Sequence, residues 1–133
     1  MDCMKTKTIK QTVNFKAKPE EVYAALMDSK KHSKFTQSKC VIGKKIGDAF
    51  SSFDGYSEGK NLDLIPGKRI VQSWRSDGWP AGYYSKVFFE FEKTEAGTKL
   101  KFTHEGVPEK DFADKAAGWK EYYWNRIKVA FKW

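Results

Sequence analysis

The sequence predicts an α+β fold in which a curved antiparallel sheet wraps around one long C-terminal helix. Three observations support this prediction. Residues 97–133 contain a strand with alternating apolar side chains, a turn and a long aromatic-rich helix. The middle of the chain is a run of strand patterns joined by short turns, and the helical patterns stand before and after that run. Such strands pair antiparallel, and neither the sheet nor the helix can bury its apolar side alone, so we expect the sheet to grip the helix.

The first elements are a strand and two short helices. Residues 9–15 alternate between inward positions, which include Ile9 and Phe15, and polar positions, as is typical of a strand with one buried face. Pro19 then suits the first position of a helix, because its fixed φ is already helical. A second short helix or turn is expected through residues 30–35.

Further strands fill the middle of the chain and bring the total to about six. They are expected at 50–53, 56–65, 70–75 and 87–91. Asp54-Gly55 is a hairpin signal, and Pro66-Gly67 suits a type II turn. A loop rich in Gly, Pro and Trp spans residues 76–82. The glycines expected to allow bends or bulges are Gly55, Gly59 and Gly82.

The last strand and helix supply most of the expected core. The inward side chains of the strand are Leu100, Phe102 and His104, and a turn is expected at residues 106–108. A helix of roughly 23 residues from Glu109 would be about 34 Å long, enough to cross a whole sheet. Its buried stripe contains Trp119, Tyr123, Ile127 and Ala130. Gly118 within this pattern suggests that the helix passes close to strand backbone there. The expected architecture is a helix-grip fold.

Length and composition indicate one globular domain, residues 1–133. With 40% hydrophobic and 16% aromatic residues, the chain can build one core. No stretch approaches the ~18 consecutive apolar residues of a membrane helix, and the start lacks the apolar part of a signal peptide, so we expect a cytoplasmic protein. Cys3 and Cys40 form no CxxC pair, which indicates two unpaired thiols.

The net charge of +8 does not indicate a nucleic-acid-binding protein. The chain has 22 lysines and 3 arginines, whereas base and phosphate recognition favours the planar guanidinium. An acidic protein surface is the more natural partner for a lysine-rich exterior, although solubility explains the lysines equally well. Lys44 and Lys45 are candidate contacts for such a partner.

A hollow between sheet and helix is a candidate ligand site. Its expected lining is Phe50, Trp74, Phe89, Phe102, His104, Trp119, Tyr123 and Ile127. A hollow lined in this way would suit a small hydrophobic ligand, but these bulky side chains could equally fill the space. A void below a few hundred Å³, the lower end of ordinary ligand pockets, would favour an interaction protein.

Three further residues deserve separate interpretation. Trp79, with Pro80, is either an exposed partner contact in a loop or a side chain folded down to cap the hollow. His104 is either a core histidine, bonded for example to a tyrosine, or a cavity-lining or catalytic group. His32 is expected on the surface, and two isolated histidines do not make a metal site.

Because no nucleophile–base, phosphate-loop or metal motif is present, we expect neither enzymatic activity nor a cofactor.

Several motifs together resemble a known family. Gly106-Val107-Pro108 is followed by residues 117–123, AGWKEYY, and then by Ile127. Upstream stand Asp54-Gly55, Leu64-Ile65-Pro66, Ile70-Val71, Trp74-Arg75 and the run from Trp79 to Gly82. In this order they resemble the C-terminal domain of the activator of heat-shock protein 90 ATPase, within the START-like or SRPBCC superfamily, over nearly the whole chain.

The resemblance implies a non-enzymatic co-chaperone that binds heat-shock protein 90 and stimulates its ATPase. The two-domain activators also carry an N-terminal domain, for which 133 residues leave no room. The alternative is a START-like module that binds a small hydrophobic ligand.

Overall fold

A seven-stranded antiparallel sheet forms the frame of the molecule, in the order β1-β7-β6-β5-β4-β3-β2. The structure is a computed structural model, and it describes residues 5–133. Cys3 therefore lies outside the described residues. The strands are β1 Thr6–Phe15, β2 Val41–Ile42, β3 Ala49–Ser52, β4 Ser57–Ile65, β5 Arg69–Ser76, β6 Ser85–Thr94 and β7 Gly97–Pro108. The predicted helix-grip fold is confirmed, with seven strands where the sequence indicated about six.

The extra strand and the longer β7 have identifiable causes. β2 contains only two residues and pairs with β3 at the edge of the sheet. Two residues are too few to show the alternating pattern by which a strand is predicted. β7 continues through the predicted turn at 106–108 to pair with the start of β1. Gly106 has a φ of +79°, so the chain bends there without leaving the sheet. Val107 behind it is fully buried.

Gly59 is required by a close approach of two strands. A Cβ at this position would lie 1.7 Å from the carbonyl oxygen of Ser73 on β5. Because two atoms cannot approach so closely, no residue with a side chain fits here. Gly55 and Gly82 instead lie in turns with φ of +91° and +78°. The register shifts of the sheet occur elsewhere, between Lys7 and Ile9 in β1 and between residues 61 and 63 in β4.

Two short helices follow β1, as predicted. α1 (Pro19–Met27) begins at Pro19, and the Glu21 carboxylate accepts from the Lys18 backbone N–H. α2 (Ser29–Thr36) begins after Asp28, whose side chain accepts from the Lys31 N–H at 3.0 Å. That hydrogen bond, above all, holds the pKa of Asp28 below its usual value.

The C-terminal helical stretch has the predicted extent but not a uniform hydrogen-bond pattern. A 3₁₀ turn (Glu109–Asp111) leads into α3 (Phe112–Gly118), a π-helical turn (Trp119–Trp124) and α4 (Asn125–Phe131). In the π turn the Asn125 N–H donates to the Lys120 carbonyl, five residues back. The wider turn reduces the angle between successive side chains, and the neighbours Tyr123 and Trp124 are both buried.

The prediction that Gly118 marks a close approach to strand backbone is wrong. A Cβ there would meet only the Tyr122 ring, at 3.9 Å, an ordinary contact. The helix is held against β1 by Gln11 instead. The Gln11 side chain donates to the Ala116 carbonyl at 2.9 Å and accepts from the Trp124 indole at 2.6 Å.

The core lies between the concave face of the sheet and the helices. Its largest fully buried side chains include Phe15, Phe35, Ile70, Leu100, Phe102 and Ile127. Within residues 5–133, no helix is long and apolar enough to cross a membrane.

Candidate functional site

Aromatic side chains fill the space between sheet and helix in which a candidate ligand-binding hollow was predicted. All eight predicted lining residues are buried. The Trp119 ring lies 4.5 Å from both the Phe102 ring and the Tyr123 ring, measured between centroids. The enclosed space that remains beside Phe50, Trp74, Phe89, Trp119 and Tyr123 is about 10 Å³. That is about the space for one water molecule, far below an ordinary ligand pocket.

His104 is a core histidine whose two ring nitrogens are both engaged. The Trp119 indole N–H can only donate, and it lies 3.0 Å from Nδ1, so Nδ1 accepts. Nε2 therefore carries the proton and donates to Ser85 Oγ at 2.7 Å, and that hydroxyl donates to the Trp74 carbonyl. Burial, together with the nearby charge of Lys115, lowers the pKa of His104 to about 3. The partner is thus an indole and not the tyrosine considered above.

This arrangement also determines what the Ser85–His104 pair can do. A serine next to a histidine suggests a nucleophile and its base, but a base needs a free lone pair on the nitrogen that faces the hydroxyl. Here that nitrogen carries the proton, because the Trp119 indole occupies the other one. In this tautomer His104 cannot remove the Ser85 proton.

His32 is buried, so the prediction of a surface position is wrong. Its Nδ1 lies 2.9 Å from the Leu26 carbonyl and its Nε2 lies 3.0 Å from Tyr123 Oη. A carbonyl only accepts, so Nδ1 carries the proton and the tyrosine hydroxyl donates to Nε2. Burial lowers the pKa of His32 to about 4. The sequence pattern placed His32 among lysines and gave no sign that this face of α2 packs on the C-terminal helix.

Tyr123 links His32 to a pair of serines on the sheet. Ser52 Oγ lies 3.3 Å from the tyrosine oxygen and 3.1 Å from Ser57 Oγ. Because the single proton of Tyr123 goes to His32, the Ser52 hydroxyl donates to the tyrosine oxygen. Burial raises the pKa of Tyr123. These interior polar groups form hydrogen bonds with one another.

Trp79 is buried and caps one end of the core. Its ring centroid lies 5.4 Å from that of Trp74, and its indole N–H donates to Asp111 Oδ2 at 3.1 Å. Arg75 also donates to the Trp79 carbonyl, at 2.7 Å. Of the two alternatives, the structure favours the capping one, and the Trp79 ring is not an exposed contact. Pro80 beside it is exposed.

A strongly basic surface lies on α2 and the loop that follows it. Residues 29–47, here called the basic segment, contain six lysines and no acidic residue, while the other 114 residues carry 19 basic and 17 acidic ones. All six lysines are exposed, and they are Lys30, Lys31, Lys34, Lys39, Lys44 and Lys45. Among the described residues, the one ion pair they form joins Lys44 to Asp28 at 4.0 Å. Most of the net positive charge of the chain is therefore concentrated here.

The basic segment also exposes two aliphatic side chains. Val41 is 56% exposed on the edge strand β2, and Ile46 is 61% exposed in the next loop. The predicted contacts Lys44 and Lys45 stand between them in the sequence. An apolar pair among lysines combines the two features of a protein interface, a contact that excludes water and a charged surround.

Asn61 holds the loop of the basic segment in place. Its amide nitrogen donates to the carbonyls of Gly43 at 2.7 Å and Lys45 at 3.0 Å, and its amide oxygen accepts from Gln72 at 2.9 Å. Its backbone N–H donates to the Asp48 carbonyl. Asn61 is not among the site residues predicted from the sequence. The available signal was a polar residue that shares the inward parity of β4 with Gly59.

Comparison with known proteins identifies relatives over nearly the whole chain. Residues 16–132 match the family described as Activator of Hsp90 ATPase homolog 1-like protein. A protein named activator of 90 kDa heat shock protein ATPase homolog, from Dictyostelium discoideum, is 34% identical over 129 residues. Homolog 1 from Homo sapiens is 31% identical over 124 residues. These matches confirm the resemblance that the motifs indicated.

The relatives differ from this chain in length. The matches cover 96% and 93% of this chain but 34% and 36% of the Dictyostelium and human proteins, so the chain spans about a third of their length. By contrast, the crystal structure of an HSP90 activator from Plasmodium falciparum is covered to 96%. It superposes on 94% of this chain with a TM-score of 0.87 and 25% identity.

Proposed function

From the premise that the chain belongs to the Activator of Hsp90 ATPase homolog 1-like family, we propose that it binds heat-shock protein 90 and stimulates its ATPase. It acts as a co-chaperone in the cytoplasm and carries out no reaction of its own. Residues 1–133 serve as one START-like domain in this role. The relatives are named as activators and not as enzymes, which supports the proposal.

The observation that carries the proposal is the basic segment. Six exposed lysines, in a segment that contains no acidic residue, produce a local positive field, which steers encounter with an acidic surface and selects against basic ones. Val41 and Ile46 add apolar area that can be buried on contact. Asn61 holds the loop between them, so little ordering entropy is lost when a partner binds.

Stimulation follows from binding if the partner has two conformations. A protein that binds the ATPase-competent conformation more tightly than the other shifts the population toward it. A ratio of affinities of about tenfold corresponds to ~1.4 kcal/mol, which a few contacts of the basic segment can supply. No catalytic residue of this chain is needed, in agreement with the mutually satisfied histidines and hydroxyls of the interior.

The structure gives little support to the alternative of an interior hydrophobic ligand. The enclosed space in the interior is about 10 Å³, and aromatic side chains expected to line a hollow pack against one another. A filled interior favours an interaction protein.

The test is the ATPase rate of heat-shock protein 90 from the same organism, measured with and without this protein. The expected result is dose-dependent stimulation that the double variant Lys44→Glu/Lys45→Glu reduces severalfold, with a loss that shrinks at high salt. A second double variant, Val41→Ser/Ile46→Ser, should also reduce stimulation but without the salt dependence.

The matched control reverses the same number of charges at the opposite edge of the sheet. Lys10 and Lys16, exposed residues of β1 and the turn after it, lie at the far end of the strand order from β2. Lys10→Glu/Lys16→Glu should leave stimulation unchanged. Equal losses in both lysine pairs, or no binding of the parent protein at tens of micromolar, would refute the proposed docking surface.

A further inference from the structure

An open groove lies beside the C-terminal helix and shares Trp74, Trp119 and Tyr123 with the lining of the filled interior. It has a volume of about 570 Å³, within the range of small-molecule sites. One wall is formed by α3 and the π turn, and the other by the segment that precedes β4 and by the end of β5. The lining of the groove includes Phe53, Tyr56, Asp114, Lys115, Glu121 and Tyr122.

Lys115 brings a buried positive charge to this groove. Its side chain is only 11% exposed, and its ammonium donates to Tyr56 Oη at 2.7 Å and to Ser76 Oγ at 3.1 Å. Among residues 5–133, the one carboxylate within 4 Å of the ammonium is that of Asp114, at 3.6 Å. Asp114 is 79% exposed and can rotate into water. The buried ammonium is therefore compensated by neutral hydroxyls and one displaceable carboxylate.

The position of the charges favours an anionic occupant. Asp114 and Glu121 also line the groove, but both are exposed, where water and salt screen their charges. Lys115 is buried, where screening is weaker and an ion pair is stronger. A carboxylate that reached the ammonium would replace Asp114 and accept a charge-assisted hydrogen bond.

The walls are mainly aromatic. Tyr56 is partly exposed beside the Lys115 ammonium, which lies 5.0 Å from its ring centroid. Tyr122 and Phe53 both line the groove and pack edge to face, with centroids 6.0 Å apart. The π turn presents Tyr122, and such turns occur frequently at functional sites. A flat ring can stack on these side chains while its substituent reaches inward.

We propose that this groove binds a small flat aromatic molecule that bears one carboxylate. The carboxylate pairs with the Lys115 ammonium, and the ring system packs against Tyr56 and Tyr122. Ser38 is the one lining residue that also belongs to the basic segment, and it carries no charge, so occupancy of the groove does not depend on the chaperone proposal.

The experiment compares 2-naphthoate with its neutral isostere 2-naphthamide as probes of the full chain. Binding is measured by isothermal titration calorimetry, and its location by backbone amide shifts in ¹H–¹⁵N NMR spectra. We expect 2-naphthoate to bind about tenfold more tightly than the amide, with the largest shifts at residues 56, 115 and 122. Equal affinities, or shifts concentrated away from the groove, would overturn the proposal.

Two variants with opposite expected effects sharpen the test. Lys115→Met keeps the length of the side chain but not the charge, and should lower the affinity for 2-naphthoate to that for 2-naphthamide. Asp114→Asn removes the competing carboxylate at an exposed position and should tighten 2-naphthoate binding severalfold. A thermal melt checks the fold of each variant. If Lys115→Met does not fold, weaker or unchanged 2-naphthoate binding to Asp114→Asn still refutes the proposal.

Discussion

Mild acid should destabilise the protein because two buried histidines are neutral in the folded state. An imidazole in an unfolded chain has a pKa of about 6.5. Burial lowers the pKa of His32 to about 4 and that of His104 to about 3. Below about pH 6.5 the unfolded chain takes up protons that the folded protein does not, so stability falls as the pH falls toward the folded values.

The size of the effect between about pH 7 and about pH 5 depends mainly on the unfolded pKa, because both folded values lie below this interval. Each histidine then costs about 2 kcal/mol, and the two together about 4 kcal/mol. A typical domain has only ~5–15 kcal/mol of stability, so the loss is a large part of the total. The lowered pKa of Asp28, whose usual value is 3.8, acts mainly below this interval.

Urea unfolding followed by tryptophan fluorescence at several pH values measures this loss directly. His32→Gln and His104→Gln should each remove about half of the pH dependence, whatever their effect at neutral pH. An independent readout is the imidazole NMR signal of the folded protein. A stability change below ~1 kcal/mol over the interval, or imidazole signals that titrate near pH 6.5 in the folded state, would refute the reasoning.

Three further predictions concern stability, measured by urea unfolding at neutral pH. Gly118→Ala should stabilise the protein by up to ~1 kcal/mol, because the new Cβ makes only an ordinary contact with the Tyr122 ring, at 3.9 Å, on a helix. Gly59→Ala, the matched change in a strand, should destabilise by several kcal/mol or prevent folding, because its Cβ would overlap the Ser73 carbonyl. Gln11→Leu should cost about 1–3 kcal/mol, because it leaves the buried Trp124 indole N–H without its acceptor.

Each of these changes has an outcome that contradicts it. A destabilising Gly118→Ala would mean that the helix packs more tightly at this position than the 3.9 Å contact indicates. Wild-type stability in Gly59→Ala would contradict the close approach of β4 and β5. A neutral Gln11→Leu would show that the Trp124 indole finds another acceptor or water.

Local patterns were sufficient for most of the fold. Alternation of apolar and polar side chains located the strands, because a strand buries one face with a period of two. The Pro19 helix start and the Pro66-Gly67 turn followed from backbone restrictions of single residues, and the Lys68 N–H does donate to the Ile65 carbonyl across that turn at 2.8 Å.

Predictions about individual side chains failed, or stayed undecided between two alternatives, where burial depended on a distant element. Trp79 stands in a loop rich in turn residues, but its indole N–H donates a hydrogen bond to Asp111, more than thirty residues further along the chain. His32 stands among lysines, but Tyr123 of the C-terminal helix donates to it. The π turn has no signature in the spacing of its aromatic residues, which also fits a regular α-helix.

The sequence by itself determined the class of fold, the order of its elements and the family, because these depend on local periodicity, turn chemistry and ordered motifs. The excess of lysines at residues 29–47 is also a property of the sequence, although the lysine pattern was interpreted as scattered along the chain. Only the tertiary structure decided that the interior is filled, that both histidines are neutral, and that Lys115 faces an open groove. These properties arise from contacts between residues far apart in the chain, since volume, desolvation and hydrogen-bond partners exist only after the elements have packed.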